Sequence, residues 1–256
     1  MHHKYGRQRP DDVQDQNGYL GRWAVVPPSH SKSIGTMQEG SLHASLKAWY
    51  TLPGDLCEVT VDGYLVDIVR GELLIEIQTR NFSALKRKLK ALIERHRVRL
   101  VYPIPKEKWI GYVTADGQAP LGWRRSPKRG GLEDLFYELV SFPQLVRNPS
   151  FSLETLLIRE EELRRRVSHG SRKGWGTVDR RLLDVLDHAT FQSPFDFRNL
   201  LPHTMRSPFT SHDLANTLRL SRNLAQKMTY CLRGMGAIEV VGKRGKSLLY
   251  VTSVSP

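Results

Sequence analysis

The stretch GYLVDIVRGELLIEIQTR, residues 63–80, sets two carboxylates and an amide among aliphatic side chains. Asp67 sits inside LVDIV, and Glu76 with Gln78 sits inside LLIEIQ. Apolar neighbours on both sides predict buried strands, where an unpaired carboxylate is expensive. Asp-Gly at 62–63 and Arg-Gly at 70–71 supply tight turns, so the segment reads as strand, turn, strand. Side chains alternate along a strand, which puts Glu76 and Gln78 on one face and Ile75 and Ile77 on the other. A hairpin about Arg70 and Gly71 brings Asp67 beside Glu76. Two carboxylates held that close repel and perturb each other's ionisation unless a cation intervenes. A hard divalent ion with oxygen ligands, Mg²⁺ or Mn²⁺, resolves the conflict. The structural alternative is a solvated pair on an edge strand.

On the N-terminal side, TMQEGSLHASLKAWYTLPGD predicts an amphipathic helix, with Leu42, Leu46 and Trp49 at i, i+4 and i+7 and LPGD ending it. Glu39 falls on the same face, a third carboxylate turned toward the sheet; otherwise it is a first-turn acid that complements the helix dipole. On the C-terminal side, NFSALKRKLKALIERH predicts a second helix, with Asn81 as N-cap and Phe82, Leu85, Leu89 and Leu92 along one side. VRLVYPIP and KWIGYVT read as two further strands. Helix, three strands, helix, strand predicts an α/β layer arrangement over residues 35–115.

Residues 1–34 are polar and read as an N-terminal arm, with a short strand at YLGRWAVV. Residues 116–176 read as a helical extension and linker, with helices at LEDLFYELVSFPQLVRN and FSLETLLIREEELRRRV and a boundary in SHGSRKGWGT. Residues 177–256 begin with a predicted helix, TVDRRLLDVLDHATF. TSHDLANTLRL and SRNLAQKMTYCLRGMGAI follow as two more, and two strands around the tip GKRGK close the chain.

Composition narrows the function classes. Lys and Arg number 39 against 26 Asp and Glu, a formal charge of +13 over 256 residues. Such a surplus attracts polyanions, nucleic acid above all. Cys57 and Cys231 are the only cysteines, too few for a disulfide framework or a thiolate zinc site and in keeping with a reducing cytoplasm. No apolar run approaches a membrane span, and the polar start reads as no signal peptide. No Ser or Cys with a neighbouring His stands out as a nucleophile.

A helix bearing Glu39, a strand bearing Asp67, a strand with Glu76-X-Gln78 and then a basic helix resemble the core of the PD-(D/E)XK nuclease superfamily. The resemblance covers about residues 37–104. It implies a restriction endonuclease-like core, a central mixed sheet flanked by helices, and metal-assisted hydrolysis of DNA. It further implies that Asp67, Glu76 and Glu39 hold Mg²⁺ or Mn²⁺ and that Gln78 stands where the family usually has Lys. Gln can hold a water but supplies no positive charge; Arg80 or Lys86 is expected to return a cation to the site. Along the second helix Lys86 and Lys90, with Arg80 before them, form a ridge suited to phosphate contact.

The last 80 or so residues resemble a winged helix-turn-helix domain. That resemblance implies DNA contacts from Arg222, Asn223, Gln226 and Lys227 near the start of a recognition helix and from Lys243, Arg244 and Lys246 on a wing. The expected partner is DNA, duplex or branched, and a homodimer would let a nicking enzyme make a double-strand break. Two other readings stay open: a nuclease-fold DNA-binding or regulatory protein that cuts poorly or not at all, and a transcriptional regulator whose N-terminal domain senses something else.

Overall fold

Two tight turns fix the register of the first three strands. In this computed structural model, which describes residues 41–114, 120–169 and 172–253, β1 (Leu56–Val61), β2 (Tyr64–Arg70) and β3 (Leu73–Ile77) form an antiparallel meander. Asp62 and Gly63 are both left-handed, with φ of 48° and 79°, the geometry Asp-Gly favours in a two-residue hairpin. α1 (Ser41–Tyr50) precedes the meander, and α2 (Lys86–Leu92) follows it through a 3₁₀ turn at Phe82–Leu85. α2 carries the chain across, so that β4 (Arg97–Val113) runs parallel to β3, from Leu73↔Arg97 to Ile77↔Val101.

β6 (Phe151–His169) lies parallel to β4 on its other edge, and β7 (Arg172–Phe191) lies antiparallel to β6. β5 (Pro120–Arg125) pairs with the far half of β4, on the side where β3 has ended. The fold is therefore α/β, a central mixed sheet of seven strands among the described residues, flanked by helices and ordered β1-β2-β3-β4-β6-β7. No helix among the described residues is long and apolar enough to cross a membrane.

VRLVYPIP and KWIGYVT, read as separate strands, are one strand with a bulge between Pro105 and Glu107. The Val101 carbonyl accepts from the Gln78 N–H at 2.9 Å. Pro103 and Pro105, two and four residues on, therefore aim at the same edge, past the end of β3. A missing N–H there breaks no ladder bond.

Two expected helices are strands. FSLETLLIREEELRRRV is β6, and TVDRRLLDVLDHATF is all of β7 but its first five residues, so residue 177 falls inside a strand. Of the expected extension LEDLFYELVSFPQLVRN is helical, as a 3₁₀ turn at Leu132–Leu135 running into α3 (Phe136–Leu139) and a second turn at Pro143–Arg147. For β6 the physical reason is double coverage. Leu153 and Leu157 of β6 pack on the α2 side of the sheet, and Leu156 and Ile158 on the α1 side. A strand buried on both faces shows a continuous apolar run rather than alternation. Trp49 also departs from expectation: it is exposed, and Tyr50 is buried instead, its hydroxyl donating to Glu154 at 2.5 Å.

After β7 come α4 (Pro194–Arg198), α5 (Ser211–Leu218), α6 (Arg222–Gly234) and the hairpin of β8 (Ile238–Arg244) and β9 (Ser247–Thr252). Thr210 and Asp213 cap α5 reciprocally, and Ser221 caps α6. Leu214, Leu224, Met228 and Leu232 join Leu89, Leu100, Phe136 and Phe142 in one continuous apolar cluster. The C-terminal helices thus share the core beneath the α2 side of the sheet.

Where the sheet outruns that core, charge replaces oil. Glu160 is 0% exposed and Glu162 4% at the side chain, and Lys108 Nζ bridges them at 2.8 and 2.6 Å. Burial opposes ionisation of Glu162, but Lys108, Arg164 and Thr177 outweigh it and hold the carboxyl down at about 2 from its ordinary 4.5. Such a group contributes stability above pH 4.5 that is lost as pH falls through about 2. Lys108→Met is expected to cost about 3–5 kcal/mol at neutral pH, the penalty for stranding buried charge. The cost should shrink toward pH 3 as Glu162, no longer held down by Lys108, takes up a proton, which urea titrations at the two pH values would check.

Candidate active site

The β1–β2 ladder is regular at Cys57↔Ile68 and at Val59↔Val66 but broken between them. Glu58, opposite Asp67, is left-handed with φ 56° in mid-strand. Strain of this kind in a non-glycine residue concentrates at functional sites. Alternation also fails across Asp67. Val66 packs in the α2-side cluster and Ile68 in the α1-side cluster, although two residues apart they would ordinarily share a face. The β2–β3 ladder stops at Ile68↔Ile75, and beyond it Asp67 Oδ2 accepts the Ile77 N–H at 2.8 Å. A carboxylate has taken the place of a backbone carbonyl.

Glu76 shares the α2-side face with Leu74 and is 4% exposed. Lys88 Nζ, from α2, lies 2.5 Å from Glu76 Oε1 and also donates to the Leu65 carbonyl. Burial pushes Glu76 up to about 7; Lys88 pulls against it, and the Asp67 charge adds to the rise. Asp67 moves the other way. Burial raises it, but hydrogen bonds from His43 and the Ile77 N–H leave it below its ordinary value. His43 Nε2, on α1, is 3.3 Å from Asp67 Oδ2.

Gln78 is not aimed at these carboxylates. Its amide donates to the carbonyls of Arg80 at 2.5 Å and Asn81 at 3.3 Å, closing the turn into α2. Asn81 stands at the expected N-cap, of the 3₁₀ turn before α2, but it is left-handed (φ 60°) and its side chain makes no capping hydrogen bond. Arg80 and Lys86 are exposed, and the cation that reaches Glu76 is Lys88. Its signal was present in the sequence: Leu85, Lys88, Leu89 and Leu92 fall at i, i+3, i+4 and i+7, so Lys88 lies inside the apolar stripe. Glu39 lies outside the described residues.

Among the described residues no three His, Cys, Asp or Glu side chains converge as a metal cage. Mg²⁺ does not require one, since one or two carboxylates with waters and substrate phosphates commonly hold it. Asp67 and Glu76 fit that donor set: hard oxygen ligands, electrostatically coupled, one of them kept from ionising chiefly by burial and further by the charge of the other.

The other expected contact residues spread over two regions. Lys86 and Lys90 are exposed one turn apart on α2, and Arg222, Asn223 and Gln226 are exposed on α6, with Lys227 half-buried beside them. Lys243, Arg244 and Lys246 are exposed at the hairpin tip, but Arg244 is tied by an ion pair to Asp213 at the start of α5. That pair holds the hairpin against the helix.

The chain belongs to the family described as a domain of unknown function, DUF8091, whose model matches residues 40–192. That span begins beside α1 and ends one residue after β7, so the family domain is the sheet with its flanking helices. An uncharacterized protein of Treponema pallidum (strain Nichols) is 29% identical over 224 residues, covering 85% of this chain and 87% of that one. No solved structure matches.

Raising a buried carboxyl to about 7 has a measurable consequence. The folded protein holds a proton on Glu76 that the unfolded chain has released, so stability is full below about pH 4.5 and falls as pH rises through 7. Wild type is expected to lose about 3 kcal/mol over this window from Glu76, and Glu76→Gln should abolish that segment of the pH–stability curve. Chemical denaturation at half-unit pH intervals would read it.

Proposed function

We propose that the protein is a divalent-metal-dependent DNA endonuclease. In this reading the sheet and its helices are a restriction endonuclease-like core of the PD-(D/E)XK kind, and α5, α6 and the β8–β9 hairpin are a winged helix that directs it to DNA. One observation carries the reading: buried Glu76, paired to Lys88 and coupled to Asp67 at the break in β2. The element order, helix, three strands, helix, strand, supports it, as does the +13 charge.

Asp67 and Glu76 would hold Mg²⁺ or Mn²⁺. When bound, the ion supplies Lewis acidity toward a phosphoryl oxygen and acidifies a bound water. Lys88 provides the positive charge that Gln78 lacks, from the next helix rather than from β3. His43 orients the Asp67 carboxylate. Lys86 and Lys90 grip phosphates beside the cut bond, and the exposed face of α6 contacts DNA.

The same contacts favour a second reading. Glu76 is ion-paired to Lys88 and Asp67 is hydrogen-bonded by His43 inside the fold, which suits a nuclease-fold protein that binds DNA without cutting it. Labelled duplex, single-stranded and branched DNA with Mg²⁺ or Mn²⁺ separates the two. Cleavage is expected from wild type and not from the Asp67→Ala, Glu76→Ala double variant. Lys88→Ala should lower kcat about 10²–10³-fold, the range for losing one charge-stabilising group, while Gln78→Ala retains most activity. Binding by both proteins with cleavage by neither selects the second reading. Absence of binding overturns both.

A further inference from the structure

Beyond Pro105 the sheet continues as four strands, β5-β4-β6-β7, and the start of α1 reaches along it to Asp179 and Arg180 of β7, short of Trp175. Register assigns its two faces. Lys108, Ile110 and Tyr112 of β4 lie across from Glu160, Glu162 and Arg164 of β6, on the side that α1 covers nearer the core. Arg124 of β5 pairs with Ile110, and Trp175 of β7 pairs with Arg166, so both belong to this face.

At its outer end the face carries an aromatic pair. Tyr112 and Trp175 meet edge to face with centroids 4.6 Å apart, and Trp175 is 43% exposed. Arg124 Nε donates to the Tyr112 hydroxyl at 2.9 Å. The carboxylates Glu160 and Glu162 are already matched by Lys108, Arg164 and Arg180. Arg124 and Arg166 are left over, exposed, and among the described residues neither has a carboxylate partner. The opposite face pairs more of its arginines: Arg125, Arg129 and Arg159 all converge on Glu107, and Arg181 lies with Glu161 and Asp179 beside Trp123.

The geometry points to a platform for single-stranded DNA on the Tyr112–Trp175 face. Four strands span about 14 Å between outer axes, too broad for a major groove about 12 Å wide that admits a helix or a two-stranded ribbon. A half-exposed indole flanked by unmatched arginines suits unpaired bases, which stack on aromatics while phosphates meet the guanidinium groups. The surface itself stands apart from the carboxylate pair; only the choice of DNA over RNA rests on the function proposed above.

The test uses the 256-residue chain in EDTA, so that binding is read without cleavage. Fluorescence anisotropy of labelled oligo(dT) is expected to show at least about tenfold weaker binding for Trp175→Ala, within the range for losing one stacked base, and near-wild-type binding for Trp175→Phe. Arg166→Ala and Arg124→Ala should each lower the slope of log affinity against log salt by about 0.7. Affinity for a duplex of equal length should not change in Trp175→Ala. Unchanged oligo(dT) binding in both Trp175→Ala and Arg166→Ala would overturn the proposal, as would an equal loss for duplex or tighter binding of oligo(U). Failure of the nuclease reading alone would leave these binding results intact.

Discussion

β4 is the strand on which the others depend. Among the described residues it is the one strand with three partners, β6 on one edge and β3 and then β5 on the other. Parallel pairing on both sides of its first half demands crossovers, and the crossovers place α2 beneath the sheet. Burial of both faces follows, and with it the apolar cores of the two sides. The candidate site hangs from this frame. β3 is held straight by β4, so the irregularity forced by Asp67 is absorbed by β1 and β2, where Glu58 takes the strained conformation.

Buried charge in this molecule is matched side chain by side chain. Lys108 joins Glu160 and Glu162, three arginines meet Glu107, and Arg99 approaches Glu154 under Tyr50. Glu76 and Glu160 are less fully satisfied: Lys88 reaches Glu76 and Lys108 reaches Glu160, yet Glu76 Oε1 and both Glu160 carboxylate oxygens receive no well-directed hydrogen bond. What distinguishes Glu76 is the second acid beside it, since the Asp67 charge adds to the rise that burial imposes, whereas Lys108, Arg164 and Thr177 satisfy Glu162.

The meander was legible because two grammars agreed there: Asp62-Gly63 and Arg70-Gly71 gave the turns, and alternation in LLIEIQ gave the faces. β6 and β7 were illegible for opposite reasons along their length. The inner half of β6 is apolar on both faces, while its outer half, with EEELRRR, and the RRLL of β7 are written in residues of high helix propensity that strand pairing overrides. At the site, Asp67 and Glu76 announced themselves as acids in apolar strands. Lys88 obeys the same logic in helical spacing but hid inside a run of like charges. His43 could not be found from sequence, since its approach to Asp67 depends on how α1 crosses the sheet.

The notch between the end of β3 and the start of β5 leaves a stretch of β4 without a strand beside it. An open strand edge in a basic, sheet-rich protein is an invitation to pair with another copy or with a stray unfolded chain. Pro103 and Pro105 withdraw it, because both aim toward this gap and neither has an amide hydrogen to offer, while Gly130 occupies the Pro105 carbonyl at 3.0 Å. The prolines that disguised a long strand as two short ones also keep that strand solitary, a safeguard for solubility written into the seam of the fold.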